Sequence, residues 1–248
     1  MTADEPLTAA EAFDAMGKAY ADDAETNVWN SLYERPAIER MLGDVRGQRI
    51  LDAGCGPGVL AALLAQRGAD VVAVDASSEM VRITKDRVGD RVEVRQADLA
   101  LPLHFLESDS FGVVVASLVL HYLEDWTPTL REIHRVLRPN GHLIVSTHHP
   151  FMDFTLFQRP NYFLRELLQD QWEKGGQPFD VWFYRRPLTE ILNAVLDAGC
   201  VIDGFSEPQP LPEVAQRSPE DFKKLSTRPW FLLVRGRQVS ESVNSAEG

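Results

Sequence analysis

Five short apolar runs alternate with three helix-like segments between residues 49 and 147. The runs read RILDA, VVAVD, VEVRQ, GVVVAS and LIVST, at 49–53, 71–75, 92–96, 112–117 and 143–147. The segments at 59–68, 78–88 and 127–138 have the apolar spacing of helices. Strands that alternate with helices in this way form a parallel sheet with helices on both faces. The pattern therefore predicts an α/β fold with a doubly wound sheet.

Three glycines stand at alternate positions directly behind the first run, in ILDAGCGPGV (50–59). Gly54 permits a tight turn from the strand into the next helix, and Gly56 lets bare backbone approach a ligand. The helix that follows offers unpaired N–H groups and a partial positive charge. The third glycine comes one residue earlier than in G-x-G-x-x-G, and no G-x-x-x-x-G-K-[ST] motif is present. The loop is therefore a ligand-binding turn that differs from a dinucleotide fingerprint and from a P-loop.

Acidic residues occupy the ends of the first three predicted strands. Asp52 suits an ammonium group better than a pyrophosphate, whereas Asp75 stands where an acidic residue commonly binds ribose hydroxyls. Asp98 is placed to accept the exocyclic amine of adenine, and Met80 to cover the adenine face. In order, these partners match the polarity of S-adenosylmethionine. Plainer roles stay open, with Asp52 as a helix cap, Asp75 as a turn residue and Met80 in the core.

At this point the chain resembles the class I S-adenosylmethionine-dependent methyltransferases. The resemblance runs from about residue 50 to 150 and continues more weakly to 235. It is carried by ILDAGCGPG, VVAVDAS, QADLALPL, FGVVVASLVLHYLEDW and LREIHRVLRPNGHLIVSTHHP. It implies a Rossmann-like seven-stranded sheet in the order 3-2-1-4-5-7-6, with strand 7 antiparallel. Within the family, the chain is most similar to small-molecule enzymes of the ubiquinone-biosynthesis and natural-product type.

The resemblance also implies a cofactor, S-adenosyl-L-methionine, and its product, S-adenosyl-L-homocysteine. NSLYERPAIERML (30–42) looks like the helix that closes over the donor in related enzymes. Its Asn30 and Tyr33, together with Tyr20, are candidate lid contacts, although both tyrosines are also suited to the core. The full set of expected cofactor-binding residues is Tyr20, Asn30, Tyr33, Asp52, Gly54, Cys55, Gly56, Asp75, Ala76, Met80, Ala97, Asp98, Leu99 and Ser117.

The rest of the chain divides around this core. Residues 1–45 predict an N-terminal helical cap over the cofactor, and 46–236 the methyltransferase domain. After the fifth strand, 150–186 forms an insertion, and 237–248 a disordered tail. Further elements are predicted as helices at 187–200 and 219–225 and strands at 200–207 and 229–236. The insertion holds ten of the chain's 22 aromatic residues, so we expect it to roof an apolar acceptor pocket. The alternative is that these rings pack the lid onto the sheet or form a dimer contact.

Three histidines follow the fourth and fifth strands at the edge where ligands bind. An imidazole accepts a proton near neutral pH, and a base is needed only if the acceptor arrives protonated. We expect such a base to be His148 or His149, with His121 as a further candidate. His121 is otherwise suited to ordering its loop or contacting the donor, and one of the pair to facing solvent. Asp153 lies near the pair, but the spacing is not that of a recognised metal site, so no metal is expected.

The charge balance limits the class of acceptor. The 248 residues carry a net charge of −12, and the basic residues form no stripe, which disfavours a nucleic-acid partner.

The N-terminus lacks an apolar signal segment, and the longest nearly apolar stretch, 113–120, is too short for a membrane span. Two cysteines do not suggest a disulfide framework. We expect a cytoplasmic protein, with a homodimer as one possibility.

These observations lead to one functional hypothesis and two alternatives. The hypothesis is O- or C-methylation of a small, hydrophobic or aromatic metabolite in secondary metabolism. A protein that binds the donor without transferring its methyl group is one alternative. A methyltransferase of RNA or protein is the other, but such an enzyme needs a basic surface or an Asn/Asp-Pro-Pro-Tyr-type pocket, where this chain reads SLVLHY (117–122). Fold alone does not choose among acceptor atoms.

Overall fold

A seven-stranded mixed sheet forms the centre of the protein. The computed structural model describes residues 6–239. The strands are β1 (Arg49–Ala53), β2 (Asp70–Asp75), β3 (Glu93–Gln96), β4 (Phe111–Ser117), β5 (Leu137–His148), β8 (Cys200–Ser206) and β9 (Phe231–Gln238), and they lie in the order β3-β2-β1-β4-β5-β9-β8. Because β9 runs antiparallel to β5 and β8, both the predicted order and the antiparallel strand are confirmed.

Helices cover both faces of this sheet. Their bounds are α1 (Ala9–Thr26), α2 (Arg35–Leu42), α3 (Val59–Gln66), α4 (Ser78–Val88), α5 (Thr127–Val136), α6 (Pro150–Leu156), α7 (Leu188–Asp197), α8 (Glu213–Arg217) and α9 (Pro219–Thr227). Two apolar clusters lie on opposite faces of the sheet, one around Leu64 and Val115, the other around Val114 and Leu130. Neighbouring residues Val114 and Val115 serve opposite faces, as alternation along a doubly buried strand requires.

Two strands of the sheet extend beyond their predicted bounds by more than one residue. β5 begins at Leu137 because Leu137 already pairs with Phe111, six residues before the predicted start. β9 continues to Gln238 because Gln238 pairs with Cys200, so the predicted tail starting at 237 is wrong for its first two residues. Residues 240–248 lie outside the described part of the chain. Both differences arise because pairing partners, not local composition, set where a ladder stops.

The segment after β5 forms its own small sheet. Strands β6 (Glu166–Lys174) and β7 (Gln177–Arg185) pair in register as a hairpin, joined by Gly175 and Gly176, both with positive φ. The hairpin packs against α1, where Lys174 Nζ lies 2.5 Å from Asp23 Oδ2. Trp172 stacks on Tyr20, with ring centroids 6.3 Å apart. The N-terminal helix and the aromatic-rich segment therefore meet above the sheet.

Gly54 is sterically required at the turn between β1 and α3. Its φ is +77°, and a Cβ built on it would lie 2.3 Å from Val119 Cγ2. We predict that Gly54→Ala lowers the free energy of unfolding by about 2–4 kcal/mol, from backbone strain plus overpacking. Adding Val119→Ala should restore the steric part of this loss, as measured by urea unfolding.

Gly56→Ala is the matched control for this prediction. Gly56 has φ +52°, but no atom lies within 4 Å of the position that a Cβ would occupy, so its cost should be the backbone strain alone, about 1–2 kcal/mol. Equal losses for the two alanine variants, or no recovery in the Gly54→Ala/Val119→Ala protein, would contradict the steric explanation.

Candidate active site

A cavity of about 480 Å³ opens at the carboxyl ends of the central strands, beneath α1 and the β6–β7 hairpin. This is the edge at which doubly wound sheets bind ligands. Its floor is built from the ends of β1, β2 and β4, and its roof from α1 and the hairpin. The cavity wall includes Phe13, Tyr20, Asn30, Glu34, Arg35, Asp52, Gly54, Gly56, Asp75, Asp98, Ser117, Tyr122, Trp182 and Tyr184.

Asp52 is the most deeply buried acid of the cavity floor. It lies on β1, is 1% exposed, and neither of its carboxylate oxygens has a hydrogen-bond partner among residues 6–239. Burial, followed by the nearby charges of Asp75 and Glu34, raises the pKa of Asp52 from 3.8 to about 7. A buried carboxylate without a partner is unfavourable, so this position is suited to a cationic group from a ligand.

Asp75 joins the glycine loop to the second strand. Its Oδ2 accepts a hydrogen bond from the Gly56 N–H at 2.8 Å, and its Oδ1 accepts one from the Ser77 N–H at 2.9 Å. Desolvation raises the pKa of Asp75, and these backbone donors oppose the rise. The carboxylate is thus held at the end of β2 facing the cavity, with lone pairs left for a hydroxyl donor.

Glu34 enters the site through a distorted helix. Residues Asn30–Glu34 form a π-helical turn, closed by a hydrogen bond from the Arg35 N–H to the Asn30 carbonyl. Pro36 explains the distortion, because proline lacks an N–H and its ring clashes with the carbonyl four residues earlier. That carbonyl, of Leu32, instead accepts a hydrogen bond from the Leu211 N–H at 2.9 Å. The wider turn directs Glu34 into the cavity.

The Glu34 side chain ties the cap to the sheet. Its Oε1 accepts hydrogen bonds from Ser117 Oγ at 2.8 Å and Ser146 Oγ at 2.5 Å, near the ends of β4 and β5. Ser146 Oγ in turn accepts a hydrogen bond from the Leu118 N–H. Burial raises the pKa of Glu34 despite both hydroxyl donors. Glu34 therefore lines the cavity together with Asp52, Asp75 and Asp98.

Aromatic rings form the wall opposite these acids. Phe13 lies edge-on to Tyr20 and Tyr122, with centroids 4.9 and 5.5 Å apart. Trp182 and Tyr184 of β7 add two more rings. Burial raises the pKa of both Tyr20 and Tyr122, so their hydroxyls stay protonated near neutral pH. The cavity thus has an acidic floor and an apolar, aromatic roof.

Twelve of the predicted cofactor-binding residues line this cavity: Tyr20, Asn30, Asp52, Gly54, Cys55, Gly56, Asp75, Ala76, Met80, Asp98, Leu99 and Ser117. Tyr33 and Ala97 do not. Tyr33 is fully buried, and its ring packs on Phe231 while its hydroxyl accepts a hydrogen bond from the Trp230 N–H. The prediction of a lid contact at Tyr33 is corrected, because the π turn directs Tyr33 to the core and Glu34 to the cavity.

The three histidines do not reach the cavity wall, contrary to their expected placement. His121 and His148 are buried and stacked, with ring centroids 4.2 Å apart, and Phe183 covers both. Burial lowers the pKa of His148 to about 4. Burial also lowers the pKa of His121 well below its ordinary value. His149 begins α6 by accepting a hydrogen bond from the Phe151 N–H, and its Nε2 lies 3.0 Å from Glu207. The contacts of His121 and His148 include each other and Phe183, and those of His149 include the start of α6 and Glu207.

Several wall residues were missed by sequence reasoning. Glu34 had a usable signal, because Pro36 inside an otherwise helical pattern predicts a distorted turn. Phe13 and Tyr122 had none, since their approach to one another depends on how α1 packs over the sheet. Trp182 and Tyr184 were expected only as part of an aromatic segment, and their alternation on β7 selects them for the cavity.

Comparison with known proteins identifies the family. Residues 51–145 match the family described as "Methyltransferase domain". A solved S-adenosylmethionine-dependent methyltransferase from Mesorhizobium loti is 30% identical, with a TM-score of 0.66 over 83% of this chain and 97% of that one. The chain belongs to the class I S-adenosylmethionine-dependent methyltransferases.

Two further similarities place this methyltransferase. A putative enzyme of the same kind from Listeria monocytogenes shares the fold, with a TM-score of 0.72, 24% identity, and coverage of 90% of this chain and 99% of that one. The demethylmenaquinone methyltransferase of Clavibacter sepedonicus is 39% identical over 137 residues, 54% of this chain. The present chain spans 55% of that relative's length, so the relative's substrate does not transfer with the match.

The cavity of this methyltransferase fits S-adenosylmethionine, the cofactor of its family. The unpaired Asp52 carboxylate suits the ammonium group of the donor, and the open space beside Gly56 leaves room for a ligand against bare backbone. Within residues 6–239, no cluster of His, Cys, Asp and Glu is arranged to hold a metal ion. None of the helices in the same range is long and apolar enough to cross a membrane.

The buried charge of Asp52 should cost stability at high pH. Because its pKa in the folded state is raised, the folded state is favoured while the carboxyl is protonated, and this advantage is lost as pH rises from about 4 to about 7. We predict that Asp52→Asn increases the free energy of unfolding at pH 8 by about 2–4 kcal/mol, and changes it little at pH 4. Urea unfolding at both pH values measures the gap, and a gap independent of pH would contradict this account.

Proposed function

We propose that this methyltransferase acts on a small, hydrophobic or aromatic metabolite and methylates an oxygen or carbon atom. The observation that carries the proposal is the division of the cavity between an acidic floor and an aromatic roof. Phe13 of α1 and Trp182 and Tyr184 of the hairpin offer flat apolar surface in the roof, and Tyr122, from the turn after β4, adjoins Phe13. Rings so placed suit a planar, apolar acceptor.

The floor residues are proposed to hold the donor in a fixed orientation. Asp52 would accept from its ammonium group, Asp75 from its ribose hydroxyls and Asp98 from its adenine amine. Gly54, Gly56, Met80 and Ser117 would supply close contacts along its length. When bound, the donor provides a methyl group activated by a positively charged sulfur. The protein's part is to align this group with the acceptor and to exclude water, and such positioning accounts for much of a rate enhancement.

The names of the relatives support an apolar ring as acceptor. The Clavibacter relative is a demethylmenaquinone methyltransferase, and the chain is 30% identical over 116 residues to a ubiquinone biosynthesis O-methyltransferase of Bordetella avium. The net charge of −12 argues against a polyanionic acceptor such as RNA. We also propose that the protein works in secondary metabolism and is located in the cytoplasm.

Product analysis tests the proposal directly. The purified protein is incubated with donor carrying a deuterated methyl group and with a library of apolar phenols, quinols and polyketides, followed by mass spectrometry. We expect at least one product heavier by one labelled methyl, and fragmentation distinguishes an O-methyl from a C-methyl group. Donor binding without any labelled product, in the library or in cell extract, would favour a donor-binding protein without transfer.

Trp182 provides a specific test of the aromatic roof. We predict that Trp182→Ala raises KM for the acceptor by about tenfold, because removing a half-buried indole from the cavity wall loses about 1–2 kcal/mol of contact, and leaves the Kd for the donor unchanged. Trp182→Phe keeps an aromatic face and should recover most of the affinity. As a control, Phe205→Ala removes a ring that is 72% exposed on β8 and should alter neither constant. An unchanged KM for Trp182→Ala would contradict the proposal that the aromatic roof binds the acceptor.

A further inference from the structure

Glu34 has one oxygen that the protein leaves unused. Oε1 accepts both serine hydroxyls, from Ser117 and Ser146, whereas Oε2 accepts no hydrogen bond from the described residues. The side chain is only 3% exposed, and it lines the cavity. The two serines fix the carboxylate in position at the ends of β4 and β5. Oε2 is therefore held in place to accept a hydrogen bond from a ligand in the cavity.

Asp52 and Glu34 line the same cavity at neighbouring strands, because Ser117, which donates to Glu34, belongs to β4. β1 and β4 are neighbours in the sheet, with Asp52 paired to Val115, two residues before Ser117. The charge of Glu34 is close enough to affect the titration of Asp52. Two nearly fully buried acids, with three unpartnered oxygens between them in the described structure, therefore face one region of the cavity.

Arg35 lines the same wall but forms no ion pair with either acid. Its Nη2 donates to the Ala24 carbonyl at 3.1 Å, and its charge partly offsets the effect of burial on the pKa of Glu34. Among the described residues, no Lys, Arg or His nitrogen forms an ion pair with a carboxylate oxygen of Glu34 or Asp52. Two buried acids without an ion-pair partner are unfavourable until a cation with hydrogens to donate lies between them. A primary ammonium group, with three N–H donors, meets that requirement.

The order of acids along the sheet edge indicates which part of the donor lies here. Asp98 follows β3, Asp75 ends β2, and Asp52 lies on β1, which the proposed function assigns to adenine, ribose and ammonium in turn. Glu34 continues the series at β4 and β5, beyond Asp52 and farthest from the adenine end. The amino-acid end of the donor is the part that extends in that direction.

We propose that Glu34 binds the α-ammonium group of the donor together with Asp52, so that the cap segment itself recognises the amino-acid end. The proposal rests on the donor site given under the proposed function. It differs from two other roles of Glu34: a base that faces the acceptor, and a purely structural tie between the cap and the sheet. A sulfonium partner is a third alternative, although sulfonium offers no hydrogen to a carboxylate.

Three ligands separate these roles by calorimetry. S-adenosylmethionine and S-adenosylhomocysteine both carry the ammonium group, but only the first carries the sulfonium charge. 5′-Methylthioadenosine has the adenine, ribose and thioether but lacks the amino-acid end. For Glu34→Gln we expect the Kd to rise at least tenfold for the first two ligands, by similar factors, and less than twofold for 5′-methylthioadenosine.

Matched variants control the experiment. Asp75→Asn should weaken all three ligands, because each carries the ribose. Glu107→Gln replaces an exposed acid and should weaken none. Thermal unfolding establishes that Glu34→Gln is folded. If it is not, Glu34→Asp keeps the charge with a shorter side chain and should show a smaller loss, again confined to the two ligands with an ammonium group.

Each remaining outcome overturns the proposal. If Glu34→Gln weakened the binding of 5′-methylthioadenosine as much as that of the other two ligands, Glu34 would be only a structural tie between the cap and the sheet. Unchanged binding of all three ligands would instead indicate that Glu34 faces the acceptor. Weakening of S-adenosylmethionine alone would assign it to the sulfonium. Failure of the wild-type protein to bind any of the three would instead overturn the donor site itself, so the two failures are distinguishable.

Discussion

The structure depends on a few carboxylates held out of water at the carboxyl edge of a parallel sheet. Asp52 is 1% exposed, and its carboxylate oxygens have no hydrogen-bond partner within residues 6–239. A chain pays for such a group in stability and keeps it where a ligand supplies the missing charge. The glycine loop, the order of strands and the roof all serve to place that group opposite one cavity.

The cap is part of the site because proline disturbs its helix. Pro36 deprives the Leu32 carbonyl of its helical partner, a loop N–H from Leu211 replaces it, and the turn widens by about one residue. In this turn Glu34 faces the cavity and Tyr33 lies in the core. Ser117 and Ser146 then bind Glu34 to the strand ends, so the N-terminal segment and the sheet form one binding surface.

The roof brings together parts of the chain that are far apart in sequence. Phe13 and Tyr20 come from α1, Tyr122 from the turn after β4, and Trp182 and Tyr184 from the β6–β7 hairpin. The hairpin had a recognisable signal, Gly175-Gly176 between alternating residues, which is typical of a two-residue turn.

For the histidines, the place in the chain was predictable but the direction of the side chain was not. Their positions after β4 and β5 were predictable from the sequence, but whether such a side chain faces a ligand or the core depends on packing, and Phe183 covers His121 and His148.

By itself, the sequence determined the sheet, its strand order through family resemblance, and the acids at the ends of β1, β2 and β3. These follow from local patterns, because an apolar run followed by Asp and glycine marks the end of a strand and the turn after it. Only the tertiary structure decided that Glu34, and not Tyr33 or a histidine, completes the acidic floor, and which rings form the roof. Those choices depend on helix register and on contacts between distant segments, which no local pattern encodes.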